Sequence, residues 1–156
     1  MLNTAIIGIS GYGNTHYEDL RRRLERAEIR ILGATVINQA EEAEKCAFLQ
    51  SIGCRIFDSH KAMLSALRGQ LDLCFIPTGI DLHADMAMDA MRAGANAFIE
   101  KPPAAVIQEI HAMEQVEKET SRRVWVGFQI SCQKQVRKIR AFCHRPEFGA
   151  VKAIRG

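Results

Sequence analysis

The stretch Ala5-Ile6-Ile7-Gly8-Ile9-Ser10-Gly11-Tyr12-Gly13-Asn14-Thr15-His16 limits the fold of this chain more than any other. An apolar run breaks into glycines and then into a charged segment of helical periodicity, the pattern of a short buried strand, a tight turn and a helix start. Free backbone N–H groups and the positive end of the helix dipole then meet at the turn, where they suit a phosphate or pyrophosphate. In the glycine fingerprint that binds dinucleotides, one glycine makes the turn, a second lets the pyrophosphate approach and a third lets helix pack on strand. Those positions are Gly8, Ser10 and Gly13 here, so the middle one is a serine. Its Cβ crowds a phosphate, its hydroxyl can donate to one, and Gly11 beside it keeps the loop permissive. Taken by itself the motif is weak, and the other reading is a structural strand-turn-helix corner without a ligand.

At 156 residues the chain suits one domain with a proper core, and 47% hydrophobic with 25% charged residues is an ordinary globular balance. No apolar run reaches membrane-spanning length, and the N-terminus lacks the layout of a signal peptide, so a cytoplasmic setting is expected. Cys46, Cys54, Cys74, Cys132 and Cys143 are widely spaced and include no C-x-x-C pair, which predicts reduced thiols and neither a disulfide framework nor a metal site. The net charge of +3 is unevenly placed: Lys134, Arg137, Lys138, Arg140, Arg145, Lys152 and Arg155 crowd the last part of the chain against Glu147 alone. No aromatic residues interleave there as base-stacking platforms, so a solvated helix face or an inter-domain surface is expected rather than a nucleic-acid site.

Along the chain, short apolar runs alternate with helix-periodic segments, which predicts β-α-β units and a parallel sheet. Tyr17, Leu20, Leu24 and Ala27 mark the buried face of a first helix, and residues 31–37 a second strand ending at Asn38. A helix over 41–52 closes at Gly53, and residues 55–57 form a third strand. Asp58 or Ser59 is expected to cap a third helix that buries Met63, Leu64 and Leu67 and ends at Gly69. Residues 71–76 follow as the fourth strand, with Cys74 in the core. The next helix has Met86, Ala87, Ala90 and Met91 as its apolar face, and residues 97–99 form a fifth strand. Val106, Ile110 and Met113 mark the buried stripe of a fifth helix, and residues 124–128 a sixth strand, with Gln129 to Ser131 at its C-terminal end. A last helix carries Val136, Ile139 and Cys143 and runs to about His144; Pro146 then breaks it, Phe148-Gly149 turns, and residues 151–155 begin a strand that has no partner after it.

In a nucleotide-binding β-α-β unit an acidic residue usually ends the second strand and holds the ribose hydroxyls. Asn38 stands there, followed by Gln39. An amide can bond a hydroxyl and does not repel a 2′-phosphate, yet no arginine follows to clamp one, so NAD and NADP both stay open. The loop after the fourth strand, Pro77-Thr78-Gly79-Ile80-Asp81-Leu82-His83, lies where ligands sit in open α/β sheets. Glu100-Lys101-Pro102 follows the fifth strand at the same edge. A lysine held there presents a localised charge that can grip a hydroxyl or stabilise an alkoxide; the other reading is a helix start with proline at its first position and a surface lysine. His60 and His111 are expected to face solvent, and His144 to sit at a helix C-terminus. His16 reads either as a contact between first helix and loop or as a group near the pyrophosphate.

Together these residues resemble the Gfo/Idh/MocA oxidoreductases, a family named for glucose-fructose oxidoreductase and inositol dehydrogenase. The resemblance spans essentially the whole chain and lies in Gly8-x-Ser10-x-x-Gly13-x-x-His16, the loop ending in His83, Met91-Arg92-Ala93-Gly94 and above all Glu100-Lys101-Pro102. It implies an α/β fold, a doubly wound, mostly parallel six-stranded Rossmann sheet that binds NAD or NADP over residues 1–145, with residues 146–156 entering a second, substrate-binding α/β domain. By position it implies that Gly8, Ser10, Gly11, Tyr12 and Gly13 line the pyrophosphate, Asn38 the adenosine ribose, and Thr78 and His83 the nicotinamide side. Lys101, oriented by Glu100, is implied beside the nicotinamide and the substrate hydroxyl. Ser10, Asn38 and Thr78-Gly79 depart from the glycine, acid and Thr-Pro that the family usually has.

The activity so implied is an NAD(P)-dependent dehydrogenase acting on a secondary alcohol of a sugar, polyol or similar small molecule, assembled as a homo-oligomer through the second domain. The aspartate or histidine that such enzymes take from that domain has no counterpart here, so this chain is expected to bind cofactor without finishing the reaction. A non-catalytic nucleotide-binding or sensing module is the alternative. The loop also resembles the G-x-S-G-Y loop of NADP-dependent acyl-phosphate reductases, which need a later nucleophilic cysteine and have no Glu-Lys-Pro at this place.

Overall fold

Side chains of a strand alternate between the two faces of its sheet, and a strand buried on both faces is therefore apolar throughout. The first strand, β1 (Leu2–Ile7), obeys this: Ala5 and Ile7 enter one apolar cluster and Ile6 the other. The computed structural model describes residues 1–145 together with Glu147, Gly149, Ala150, Lys152 and Ala153. In chain order β1 is followed by α1 (Gly13–Glu25), β2 (Ile29–Thr35), α2 (Ala43–Ser51), β3 (Arg55–Phe57), α3 (His60–Ala66), β4 (Leu73–Ile76), α4 (Ile80–Arg92), β5 (Asn96–Ile99), α5 (Ile107–Thr120), β6 (Val124–Val126) and α6 (Lys134–Cys143). The strands form one sheet in the order β3-β2-β1-β4-β5-β6, and each neighbouring pair is parallel. This is the expected doubly wound arrangement. Both border strands, β3 and β6, are only three residues long.

One face is covered by α1 and α2, whose Tyr17, Leu20, Cys46 and Leu49 pack on Ile6, Ile29, Ile31 and Ala34. The other is covered by α3, α4 and α5, with Met63, Leu64, Ala84, Ala87, Ala90 and Met113 against Ala5, Ile7, Cys74, Ile76, Ala97 and Ile99. Cys74 is fully enclosed, and burial pushes its thiol up to about 12. Burial does the same to Cys54, also to about 12, so both act as small core residues rather than nucleophiles.

Several boundaries differ from the sequence-based expectation, each for a local reason. The first helix closes at Glu25, and Ala27, expected on its buried face, is exposed at φ +55° in the turn into β2. The second strand begins at Ile29 and ends at Thr35, and Ile37 is 86% exposed. Ser59, not Asp58, caps α3 by accepting from the Ala62 N–H at 3.2 Å. No helix begins at Pro102 or Pro103: α5 starts at Ile107, where Glu109 accepts from the N–H groups of Ala105 and Val106. Val106 is thus a half-exposed cap, and Ile110, Met113 and Val116 form the buried stripe. His60, expected in solvent, ties α3 to α4 through a 3.1 Å contact of Nε2 with Asp89 Oδ2. Strand β6 stops at Val126, and α6 packs on the short 3-10 turn Gln129–Cys132 with no buried residue of its own. Of the strand expected over 151–155, Lys152 and Ala153 are exposed and in no strand, while Val151, Ile154 and Arg155 lie outside the described residues, as do Pro146 of the expected break and Phe148 of the expected turn.

Gly33 on β2 shows how close the helices lie on the sheet. A Cβ there would stand 2.6 Å from Leu67 Cδ1 and 3.1 Å from Met63 Cγ, both core side chains. Gly33→Ala is therefore expected to lower stability by about 1–3 kcal/mol through overpacking. The midpoint of urea unfolding measures this, and an unchanged midpoint would mean that Leu67 and Met63 yield without cost.

Candidate functional site

A sheet whose strands all run one way brings all its strand ends to one edge, and the crevice opens where the chain order reverses, here between β1 and β4. The loop after β1 begins with Gly8 at φ +89° and continues through Gly11 at φ +53°, conformations open to glycine and strained for other residues. Gly13 then passes so near the Gly8 carbonyl that a Cβ would lie 2.7 Å from its oxygen. The N–H groups of Gly13, Asn14 and Thr15 turn back onto the carbonyls of Ser10, Gly11 and Tyr12. The first turn of α1 thus consumes the donors expected to be free, and those of Ser10, Gly11 and Tyr12 are left without a protein acceptor among the described residues. A loop that leaves no room for a Cβ at Gly13 and holds unpaired N–H groups at a helix start fits a pyrophosphate.

Ser10 uses its hydroxyl sideways. Its Oγ lies 3.0 Å from Asn38 Nδ2, tying the loop to the chain just past β2. The same amide donates to Glu41 Oε2 at 3.0 Å. Glu42 is held below its ordinary carboxylate value, first by Lys45 at 2.7 Å and then by Ser10. The Lys45 ammonium also donates to the Ile9 carbonyl at 3.0 Å. Gln39 Nε2 donates to Asp58 Oδ1. The Asn38 side chain thus meets Glu41, its neighbour Gln39 meets Asp58, and Glu42 is already paired with Lys45.

The β4 loop meets the β1 loop directly: a Cβ on Gly8 would stand 3.9 Å from Thr78 Cγ2, and one on Gly13 3.5 Å from Pro77 Cγ. His83 is enclosed at 1% exposure, with Nε2 3.0 Å from the Thr78 carbonyl oxygen and Nδ1 2.9 Å from that of Pro102. It pins the β4 loop to the β5 loop from within rather than lining open space. After β5, Glu100 is buried, while Lys101 is exposed. Glu100 Oε2 accepts from the Lys101 main-chain N–H at 3.2 Å, so the glutamate orients the lysine through its backbone. The other oxygen, Oε1, accepts from His16 Nε2 at 2.8 Å. Of the two readings of His16, this favours a contact of the first helix, made with Tyr12 of its own loop and also with the end of β5.

Sequence reasoning missed this pair, whose members are 84 residues apart, and it missed Gly127 and Glu41. A Cβ on Gly127 would meet Glu100 Oε1 at 2.8 Å, so the glycine makes room for the carboxylate; its place directly after a strand was a readable sign of a close approach. Beside the pair lies a groove of about 570 Å³ over the β4-β5-β6 part of the sheet, lined by Phe75, Phe98, Leu73 and Val126 along with Tyr12 and His16. Among the described residues, no group of three His, Cys, Asp or Glu side chains is arranged to hold a metal, and no helix is long and apolar enough to cross a membrane.

Known structures share this architecture. The scyllo-inositol dehydrogenase of Lactobacillus casei, solved with NAD(H) and scyllo-inositol, superposes with a TM-score of 0.80 at 20% identity, over 96% of this chain and 42% of that one. The WlbA dehydrogenase of Chromobacterium violaceum, in complex with NADH and UDP-GlcNAcA, gives 0.79 at 19% identity, over 95% of this chain and 41% of that one. A further dehydrogenase from Chromobacterium violaceum gives 0.79 at 25% identity, over 96% and 42%. The chain thus spans about two fifths of the length of these proteins. No curated protein sequence matches it significantly. Residues 2–128 match the GFO/IDH/MocA description, oxidoreductase family with NAD-binding Rossmann fold. That match takes in the glycine loop, the β4 loop and Glu100-Lys101, and the chain belongs to this family of oxidoreductases as an NAD-binding Rossmann domain.

Proposed function

We propose that this chain is the cofactor-binding part of a dehydrogenase that moves a hydride between a nicotinamide and a secondary alcohol carbon of a sugar, polyol or similar small molecule. One observation supports the reading: the loops after β1, β4 and β5 leave the sheet at the same edge, where Gly8 lies against Thr78 and His83 reaches the Pro102 carbonyl beside Lys101. The nicotinamide, when bound, supplies the hydride chemistry, and the protein supplies orientation and charge. Gly8 and Gly13 give the pyrophosphate its close approach, and Ser10, Gly11 and Tyr12 hold it through backbone N–H groups. Thr78 lies on the nicotinamide side, with His83 fixing its carbonyl. Lys101, directed by Glu100, presents its ammonium to the substrate oxygen, where a fixed positive charge favours the alkoxide. The scyllo-inositol and UDP-GlcNAcA held by two of the structural relatives support a polyol or sugar as substrate class. In this reading residues 1–145 are the cofactor domain, and residues 146–156 lead to a substrate domain that completes the site and joins subunits, in a cytoplasmic enzyme.

The surroundings of Asn38 favour NAD over NADP. Asn38 and Glu41 together offer an amide and a carboxylate to ribose hydroxyls, while Glu41, Glu42 and Asp58 oppose a 2′-phosphate. A pair of unit charges about 4 Å apart is worth roughly 1 kcal/mol in water and about 4 kcal/mol near a protein surface, enough for discrimination of about ten-fold or more.

Titration followed by nicotinamide fluorescence is expected to give a Kd for NADH about ten-fold or more below that for NADPH, and Glu41→Gln should narrow the gap. Equal affinities would remove the assigned preference, and failure of both at millimolar levels would remove the cofactor assignment. Gly13→Ala is expected to weaken NADH binding by about ten-fold or more while circular dichroism stays unchanged, because the new methyl group meets a backbone oxygen that cannot move aside. In the enzyme joined to its substrate domain, Lys101→Ala should lower kcat by about 10²-fold or more and leave the NADH Kd within about three-fold. Turnover at the unaltered rate would sink the role given to the lysine.

A further inference from the structure

The polar contact with the greatest reach across this edge is the one between His16 and Glu100. His16 stands on the first turn of α1, three residues after Gly13, and its side chain is 14% exposed against 10% for Glu100. Its ring lies between aromatic neighbours, with centroids 5.8 Å from Phe98 and 6.3 Å from Phe75, and meets Tyr12 of the glycine loop edge-on at 5.8 Å. Glu100 is confined on its far side by Gly127 and spends its second oxygen on the Lys101 N–H. Each carboxylate oxygen is therefore engaged, one by the helix that starts at the glycine loop and one by the residue given the chemical role. An enclosed carboxylate that loses one of its two donors shifts toward whatever can replace it, and the remaining bond shifts with it.

We propose that His16 is a positioning residue that sets the direction of Lys101 through Glu100, linking it to the state of the glycine loop. The proposal rests on the reading of Lys101 given above and adds a mechanical connection to it. Tyr12 and His16 form the loop side of the connection, and Glu100 and the Lys101 backbone form the sheet side. A cofactor settling on the loop presses on Tyr12 and His16, and the carboxylate passes that restraint to the lysine.

The connection can be read without turnover, by amide hydrogen exchange of the chain itself followed by NMR. In His16→Ala, exchange at the Lys101 amide is expected to accelerate about ten-fold or more, while the amides of Ile6 and Ala34, deep in β1 and β2, change by less than about two-fold. His16→Gln, which keeps an N–H donor at similar reach, should restore most of the protection and also serves if the alanine variant fails to fold. Saturating NADH should slow the Lys101 amide in the unaltered chain and have a much smaller effect on it in His16→Ala, with NADH still bound. An unchanged Lys101 amide, or one that rises only in step with Ile6 and Ala34, would overturn the proposal and leave His16 as ordinary packing. Absence of NADH binding to the unaltered chain would instead count against the cofactor assignment, and the comparison without nucleotide would still decide whether His16 restrains Lys101.

Discussion

Between the α-carbon of Gly13 and the carbonyl of Gly8 there is room for a hydrogen and for nothing larger. That close approach decides where α1 begins and how it leans on β1, and much of the edge follows from it. With the helix started there, Tyr17 and Leu20 fall onto the sheet, while His16 reaches across to the end of β5. The same start spends the N–H groups of Gly13 to Thr15 within the turn, so the donors left unpaired among the described residues are those of the loop residues just before them. A side chain at this point would move the helix, and with it the contact to Glu100.

Around that contact the chain solves an electrostatic problem. Glu100 is buried, and its side-chain partner at bonding distance among the described residues is His16, whose ring stands against Phe75 and Phe98. A carboxylate in such a place is costly unless donors meet it from more than one side. The imidazole and a main-chain N–H do so, and among the described residues no ion pair joins Glu100 to the exposed Lys101 beside it in sequence. The glutamate is an anchor for the lysine's backbone rather than a partner for its charge.

Alternation of apolar runs with helical segments made the element order readable from end to end, since each β-α-β unit buries its own faces and depends little on distant residues. Ends were harder. Ala27 has the right spacing for a helix face, but a left-handed turn is needed to reach β2, and that need prevails over periodicity. Val106 likewise joins an apolar stripe on paper, yet Glu109 draws the N–H groups of residues 105 and 106 to itself and makes the valine a cap. In the loop after β1, Gly8 and Gly13 could be found because the turn and the close approach demand glycine. The bond between His16 and Glu100 could not, because it joins two units that only the folded sheet brings together. His60 failed for the same reason: its partner Asp89 belongs to another helix, and a lone histidine on a polar face carries no mark of it.

The two border strands, three residues each, have a consequence for how such a sheet survives in solution. An exposed strand rim is a template onto which a foreign strand can add, and the hazard grows with the number of consecutive ladder positions on offer. Here the β3 rim is cut off after Phe57, whose ring lies under the guanidinium of Arg55, and the β6 rim gives way after Val126 to a 3-10 turn. A fibril-forming neighbour would find a foothold too brief to propagate from either side. Among the described residues, three ladder positions at each margin are all that the sheet offers an incoming strand.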